Sequence, residues 1–378
     1  MVVRRIGVLT GGGDCPGLNP AVKWVVKTAM DTELANKRGY QFEVVGIKDG
    51  WKGLVEFDRR GTVLPPRTEF GPNDHARILV PEETRTWDRM GGTRLGTSRT
   101  NPFNHKRPTY PQVLENIEAL GLHALVAIGG EDTLSIASRL SEMGVNIVAI
   151  PKTIDRDLQG TDYSLGFETA VNVIVEEIDR IRTTARSHSR TFVVEAMGRY
   201  AGHLALSGGI AAGASMILIP EVPYRVERVV ELLRKRQEDG HRFSIIVVAE
   251  GAQEDGGTRI ERAASQDDQY AHPTLGGVGQ VLSDKIEAAM KLETRAVNLS
   301  HLQRGGVPCA YDRRMGRLFG IGALDLIVQE NFGRMVAIRQ GKLDSIPIPR
   351  DLKNVRLVDV PARYDSERYT AKYSVLVD

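Results

Sequence analysis

Two polar clusters, each at the end of an apolar run, constrain this chain most. Ala124 to Ile128 leads into Gly129-Gly130-Glu131-Asp132-Thr133, and Val145 to Ile150 leads into Pro151-Lys152-Thr153-Ile154-Asp155-Arg156-Asp157. Between them, Leu134 to Met143 has helical spacing and Gly144 is placed to end the helix. Strand, helix and strand of this length predict a parallel crossover unit. Ligands of open parallel sheets gather at the carboxyl ends of the strands, where both clusters lie. Adjacent carboxylates beside glycines, followed by a lysine, a hydroxyl and two more carboxylates, suit a metal-bound phosphoryl group and an alcohol to be activated.

The rest of the chain alternates in the same way. Strands are expected at residues 3–10, 42–47, 190–197, 216–219, 243–249 and 295–299. Helices are expected at about 20–36, 110–120, 167–187, 199–213, 275–292 and 312–332. Residues 62–88, with Pro65, Pro66, Pro72 and Pro81, read as an excursion, and 252–275 as an exposed polar insertion. The pattern is α/β.

With 378 residues, the chain is long enough for two lobes. Its 50 Lys+Arg against 48 Asp+Glu give a net charge of +2, without the clustered basic excess of a nucleic-acid binder. No run approaches the length of a transmembrane helix. Only two cysteines, Cys15 and Cys309, are present, which suits a reducing compartment. A cytoplasmic protein with neither a nucleic-acid nor a membrane partner is expected.

Residues 11–19 follow a strand and open a helix, so Gly12 and Gly13 can offer backbone amides to phosphate. An ordinary tight turn would read alike: the loop lacks a Walker lysine, and Pro16 breaks the dinucleotide fingerprint. Glu131 can hold Mg²⁺, whose remaining ligands are water and phosphate oxygens, although two acids would also suit a plain helix start. Asp155 can act as general base and Lys152 can neutralise a transferring phosphoryl group, although a loop ion-pair cluster would use the same residues. Arg190, Arg199, Arg295 and Arg304 each sit at an expected strand boundary, joined by His301, and arginine suits phosphate. Glu250 follows an apolar strand and can accept sugar hydroxyls or simply face water.

In their order, these segments resemble the phosphofructokinase family over about residues 4–340. Gly7 to Asn19 resembles its opening phosphate loop, and Gly91 to Arg99 its second loop, whose last arginine, Arg99, touches the donor. Pro151 to Asp157 resembles the catalytic segment, with Asp155 as base and Thr153 as a phosphoryl contact. Glu195 to Gly202 contains the Met197-Gly198-Arg199 that binds fructose 6-phosphate in the family, and His301 to Gly306, with His301 and Arg304, resembles the segment holding its 6-phosphate. Arg190 and Arg295 match arginines that reach a neighbouring subunit's sugar phosphate, and Glu250 matches a sugar-hydroxyl ligand. The resemblance implies two three-layer αβα lobes with mainly parallel sheets. It places a donor lobe at 1–160 plus 303–345, a sugar-phosphate lobe at 161–302 and a C-terminal extension at 346–378. It also implies Mg²⁺ as cofactor and a homo-oligomer, dimer or tetramer, with shared sites.

The departures from the family pattern bear on the donor. Asp132 and Lys152 stand where ATP-using relatives have glycines, and the pair resembles the pyrophosphate-dependent branch. A carboxylate at 132 would repel the α-phosphate of ATP, with Gly130 beside it in the donor loop, while Lys152 adds charge for a donor with no adenosine anchor. Arg156 replaces the usual asparagine and is expected to add charge beside pyrophosphate. Lys23, Lys27 and Ser215 replace two arginines and an acid of the family's effector site, so effector control of that kind is not expected. The reading is reversible phosphoryl transfer from pyrophosphate to the 1-hydroxyl of fructose 6-phosphate, a glycolytic and gluconeogenic step. The alternatives are an ATP-dependent or mixed-donor kinase, or a non-catalytic sugar-phosphate-binding regulatory subunit.

Overall fold

The computed structural model describes residues 2–59, 64, 69–71, 73–262, 270, 274–350 and 354–374. Its strands, in chain order, begin with β1 (Val2–Thr10), β2 (Tyr40–Ile47), β3 (Ala76–Leu79), β4 (Leu122–Gly129) and β5 (Ile147–Pro151). Next come β6 (Thr191–Ala196), β7 (Met216–Leu218), β8 (Ser244–Ala249), β9 (Glu261–Arg262), β10 (Thr274–Leu275) and β11 (Thr294–Asn298). The last are β12 (Arg334–Arg339), β13 (Lys342–Pro347), β14 (Tyr364–Asp365) and β15 (Thr370–Ala371).

Two α/β sheets organise them. The larger is ordered β13-β12-β5-β4-β1-β2-β3, parallel through its middle and closed by the antiparallel edges β3 and β13. The smaller, β11-β6-β8-β7, is wholly parallel. Helices cover both faces of a parallel sheet, so its strands need apolar residues on each side. Thus every residue of β5 and β8 is buried. In the larger sheet the chain leaves β1 for β2 on one side and returns to β4 on the other, and the crevice beyond such a reversal is where ligands bind.

A buried carboxylate ties the lobes. Asp312, on the helix Ala310–Val328, accepts hydrogen bonds from Gly166 N (2.7 Å), Thr169 N (2.9 Å), Thr169 Oγ1 (2.6 Å) and the Tyr163 hydroxyl (2.7 Å). The amides belong to the start of the helix Phe167–His188, whose dipole favours an anion there.

Several boundaries differ from the sequence expectation. The helix expected at 20–36 is two helices, Leu18–Ala29 and Thr32–Arg38. The carboxylate of Asp31 accepts from Leu34 N at 2.9 Å and starts the second one. The excursion at 62–88 contains β3 and a short helix, held by a buried Arg77–Glu83 pair, while 60–63, 65–68 and 72 lie outside the described residues. The insertion at 252–275 carries the β9–β10 pair, and 263–269 and 271–273 lie outside the described residues. The helix expected from 199 begins at His203, because Arg199 has φ 50° and breaks the helical path. The tail first adds β13, then straps the edge of the smaller sheet: Ile217 N donates to Tyr369 O (2.7 Å) and the Tyr364 hydroxyl to Ile217 O (2.5 Å). Such cover blunts an edge strand that would otherwise pair with another chain. Among the described residues, no helix is long and apolar enough to cross a membrane.

Candidate active site

The carboxyl ends of both sheets face one cleft of about 310 Å³. On the larger sheet's side, β1 delivers Gly12, Gly13 and Asp14, β4 delivers Gly130, Glu131 and Asp132, and β5 delivers Lys152 to Asp155 with Asp157. On the smaller sheet's side, β6 delivers Met197 and Arg199, β8 delivers Glu250, and β11 delivers Ser300, His301 and Arg304. Arg99, Thr133 and Leu275 complete the lining. Of the residues expected from sequence, Gly198 sits between two lining residues with φ 133°, a conformation that suits glycine.

The phosphate loop is built for close approach. A Cβ at Gly13 would lie 2.6 Å from Arg304 Nη1, so only glycine lets that guanidinium pack against the loop. Asn19 is buried; its Nδ2 donates to Met90 O and Gly91 O (both 3.1 Å) and its Oδ1 accepts from Arg94 N (2.8 Å). One side chain thereby fixes the Gly91–Arg99 loop to the helix behind the phosphate loop. Thr97 Oγ1 donates to Gly12 O at 2.5 Å, joining the two loops directly.

Lys152 is 3% exposed and its Nζ donates to Gly13 O. Burial lowers its pKa, while the carboxylates of Asp155 and Asp14 favour the charged form. Asp155 is 7% exposed, and its Oδ1 is buried with no hydrogen-bond partner. Its backbone N donates to Thr153 Oγ1 (3.1 Å), which fixes the turn. Asp155 lines the cleft, and a carboxylate with one buried, unpartnered oxygen is a group whose polar capacity the chain itself leaves unmet. Burial, then the nearby Asp155 charge, pushes Asp157 up to about 7, with Glu131 adding to the shift and Arg199 opposing it. Burial and Asp155 likewise raise Glu250 to about 7. Glu250 Oε1 accepts from Arg199 N (3.1 Å), which holds the positive-φ turn carrying that arginine. Gln303 Oε1 accepts from Met197 N (3.2 Å), and Ser300 Oγ lies 3.0 Å from His301 Nδ1, so the sugar-side residues are positioned by their neighbours.

Crowded carboxylates (Glu131, Asp155, Asp157) fit a divalent cation. No cluster of three His, Cys, Asp or Glu side chains that could hold a metal is preassembled among the described residues. Mg²⁺ takes one or two carboxylates and completes its shell with water and phosphate oxygens, so Glu131 with one neighbouring acid of the cleft would serve it.

Two placements were not evident in sequence, that of Arg156 and that of Asp14 and Ser300. Arg190 and Arg295 are not in this cleft; they lie at the amino ends of β6 and β11, each paired with Glu293. Arg156 does not point toward the donor side. With φ 56°, its Nε donates to Asp162 O (2.8 Å) and its guanidinium covers the Phe167 ring at 4.9 Å, so the added charge beside pyrophosphate is corrected. Asp14 and Ser300 line the cleft although the sequence did not single them out; only their positions within matched segments could have signalled them. Cys15 is buried, its thiol pKa raised by burial, and it donates to Leu165 O (3.3 Å), a packing role.

Comparison with known proteins agrees with this geometry. The phosphofructokinase family model matches residues 5–327. The pyrophosphate–fructose 6-phosphate 1-phosphotransferase of Dictyoglomus thermophilum is 46% identical over 97% of this chain and 98% of its own length. The ATP-dependent 6-phosphofructokinase 1 of Synechocystis is 38% identical over 95% of this chain and 94% of its own. Among solved structures, phosphofructokinase from Saccharomyces cerevisiae superposes with a TM-score of 0.73 at 31% identity, over 91% of this chain and 45% of the yeast chain.

Proposed function

The chain belongs to the phosphofructokinase family, and from that premise we propose that it transfers a phosphoryl group reversibly from pyrophosphate to the 1-hydroxyl of fructose 6-phosphate, giving fructose 1,6-bisphosphate and phosphate. The observation that carries the donor is the pair Asp132 and Lys152, both lining the donor side of one cleft. At about 4 Å, two unit negative charges repel by about 4 kcal/mol at an effective dielectric near 20, enough to disfavour a third phosphate beside Asp132. Lys152, tied to Gly13 O, is positioned to meet a short donor instead.

Asp155, which lines the cleft, takes the proton of the 1-hydroxyl. Lys152 and Arg199 stabilise the charge of the moving group, with Thr153 and Arg99 as further contacts. Glu131 would hold Mg²⁺, which supplies additional charge neutralisation on the phosphate oxygens. Met197, Gly198, Glu250, His301 and Arg304 bind the sugar phosphate. Arg190 and Arg295 serve the neighbouring subunit, so the active form is a homo-oligomer. Two free cysteines, Cys15 and Cys309, fit a reducing, cytoplasmic setting.

The test is donor specificity of the pure protein. Turnover with pyrophosphate and little with ATP is expected, and the reverse result would favour the ATP-dependent reading carried by the Synechocystis relative. Asp132→Gly should raise the ratio of ATP to pyrophosphate kcat/KM by about tenfold or more, since about 1.4 kcal/mol is tenfold. An unchanged ratio would move donor choice to the pocket shaped by Gly91 to Arg99.

A further inference from the structure

The polar insertion at 252–275 starts beside the sugar side of the cleft, directly after Glu250 and Gly251. Its first turn is anchored at Tyr224, whose N donates to Gln253 O (3.0 Å) and whose O accepts from Asp255 N (2.8 Å). Ile260 then packs on the core, and Glu261 pairs with Leu275, a residue of the cleft lining. Arg259 lies between these anchors. We propose that Arg259 is a positioning residue for fructose 6-phosphate, acting through Tyr200 and Gly251 on the turn that carries Arg199.

That turn needs holding. Arg199 has φ 50°, in the left-handed region, and a non-glycine residue keeps such a conformation only where its surroundings over-determine it. Three contacts meet there. Arg199 N donates to Glu250 Oε1 (3.1 Å). Arg199 O lies against Gly251 so closely that a Cβ at Gly251 would come 1.8 Å from it. The Arg199 guanidinium carbon stands 5.6 Å from the centre of the Tyr200 ring.

Arg259 joins two of the three. Its Nε donates to Gly251 O at 3.2 Å, and its guanidinium carbon stands 5.1 Å from the centre of the same Tyr200 ring. A guanidinium over a tyrosine face is attracted by the electron-rich ring. The hydrogen bond holds Gly251 against Arg199 O, and the ring contact holds Tyr200 where the Arg199 side chain meets it. Among the described residues, Glu254 is paired with Lys285 and no carboxylate pairs with Arg259, so no acid draws it off the ring. Arg259 is not part of the cleft lining, which makes it a support for Arg199 and Glu250 rather than a ligand of the sugar phosphate. The donor loops are fixed elsewhere, through Asn19 and Thr97, so the support belongs to one substrate only.

This role rests on the reaction proposed above, and the two are separated by measuring fructose 6-phosphate affinity calorimetrically beside turnover. Absent turnover with pyrophosphate would overturn the reaction while the affinities still decide Arg259; a wild type that binds no fructose 6-phosphate would overturn both. Arg259→Met keeps the aliphatic stem and removes the Nε–H and the charge. It should weaken fructose 6-phosphate about fivefold or more, with the pyrophosphate KM within about twofold of wild type and Tm within about 2 °C. Arg259→Lys restores a cation for the ring and should recover part of that affinity. Tyr200→Leu removes the ring, and the double variant with Arg259→Met should lose clearly less than the product of the two single losses, because both act on one turn. Losses that multiply in full would show that Arg259 does not act through Tyr200 and would overturn the proposal. So would wild-type affinity in Arg259→Met, or equal losses for fructose 6-phosphate and pyrophosphate, which a general loosening of the fold would give. Should Arg259→Met fail to fold, Arg259→Gln takes its place in every comparison.

Discussion

The two ends of the smaller sheet carry the same residue type to different purposes. Arg190 precedes β6 and Arg199 follows it; Arg295 opens β11 and Arg304 follows it. At the carboxyl end, Arg199 and Arg304 line the cleft, one fixed through Glu250 and the other packed on Gly13. At the amino end, Arg190 and Arg295 share the single acid Glu293 at the surface, with side chains 29% and 54% exposed. At about 3.3 Å per residue, a strand like β6 separates its ends by roughly 20 Å. No side chain spans that, so the amino-end pair cannot serve this chain's own cleft. A partly exposed ion pair contributes only about 0–1 kcal/mol, so Glu293 holds those arginines weakly, and the role proposed for them toward another subunit is not blocked by it. Position along a strand, rather than residue type, therefore separates the arginines of the cleft from those at the surface.

The strongest test sets one end against the other in mixed oligomers. Asp155→Asn removes the proposed base and should lower kcat about 10²-fold or more while leaving fructose 6-phosphate binding nearly intact. Arg295→Ala should instead raise the fructose 6-phosphate KM, by roughly 10- to 100-fold if a charge-assisted contact of about 1.5–3 kcal/mol is lost. Mixing the two impaired chains, assayed at fructose 6-phosphate well below the raised KM, should restore part of the activity, because a site with an intact Asp155 can borrow an intact Arg295. Freely exchanging subunits that regain nothing would break the comparison. A smaller effect would sharpen it: Arg190→Lys should raise the same KM by only a few-fold, because lysine keeps the charge but loses the fork.

The sequence exposed the cleft because its makers are polar residues placed abruptly after apolar runs. The segments after Ile128 and Ile150 stood out for that reason, as did Glu250 after β8, and all three line the cleft. What it hid depended on backbone direction or distant pairing. Arg156 reads like part of the donor site, but a positive φ turns its side chain to the opposite side. Arg190 and Arg295 read as strand-boundary arginines that only the family resemblance set apart from Arg199 and Arg304, and the parallel β6 and β11 put the two pairs at opposite ends of the sheet. The break at Asp31 was masked by helical spacing on both sides of it, and β3 by the prolines around it. The Asp312 latch joins residues far apart in the chain, so no local pattern announces it.

The smallest effect expected at the cleft end concerns the cost of its carboxylates. Glu250 titrates near 7 in the folded protein against an ordinary value of 4.5, mainly because it is buried. The folded state therefore holds a proton that the unfolded state has lost across about pH 4.5 to 7. Stability from this group is fully present below about 4.5 and declines as pH rises through 7. Glu250→Gln keeps an acceptor for Arg199 N but cannot ionise. Its Tm should match wild type near pH 4.5 and exceed it by roughly 2–4 °C at pH 8, for a difference of about 1–3 kcal/mol. The same ionisation should help bind sugar hydroxyls, so wild-type KM for fructose 6-phosphate should rise as pH falls below about 7, and the Gln variant should lack that limb. Glu293, whose side chain is 35% exposed, offers the control: Glu293→Gln should show no comparable gain in Tm between pH 4.5 and 8. Equal pH dependence of Tm in the two variants would mean that the cleft end is no more costly to ionise than the surface end, and would remove burial as the cause of the difference between them.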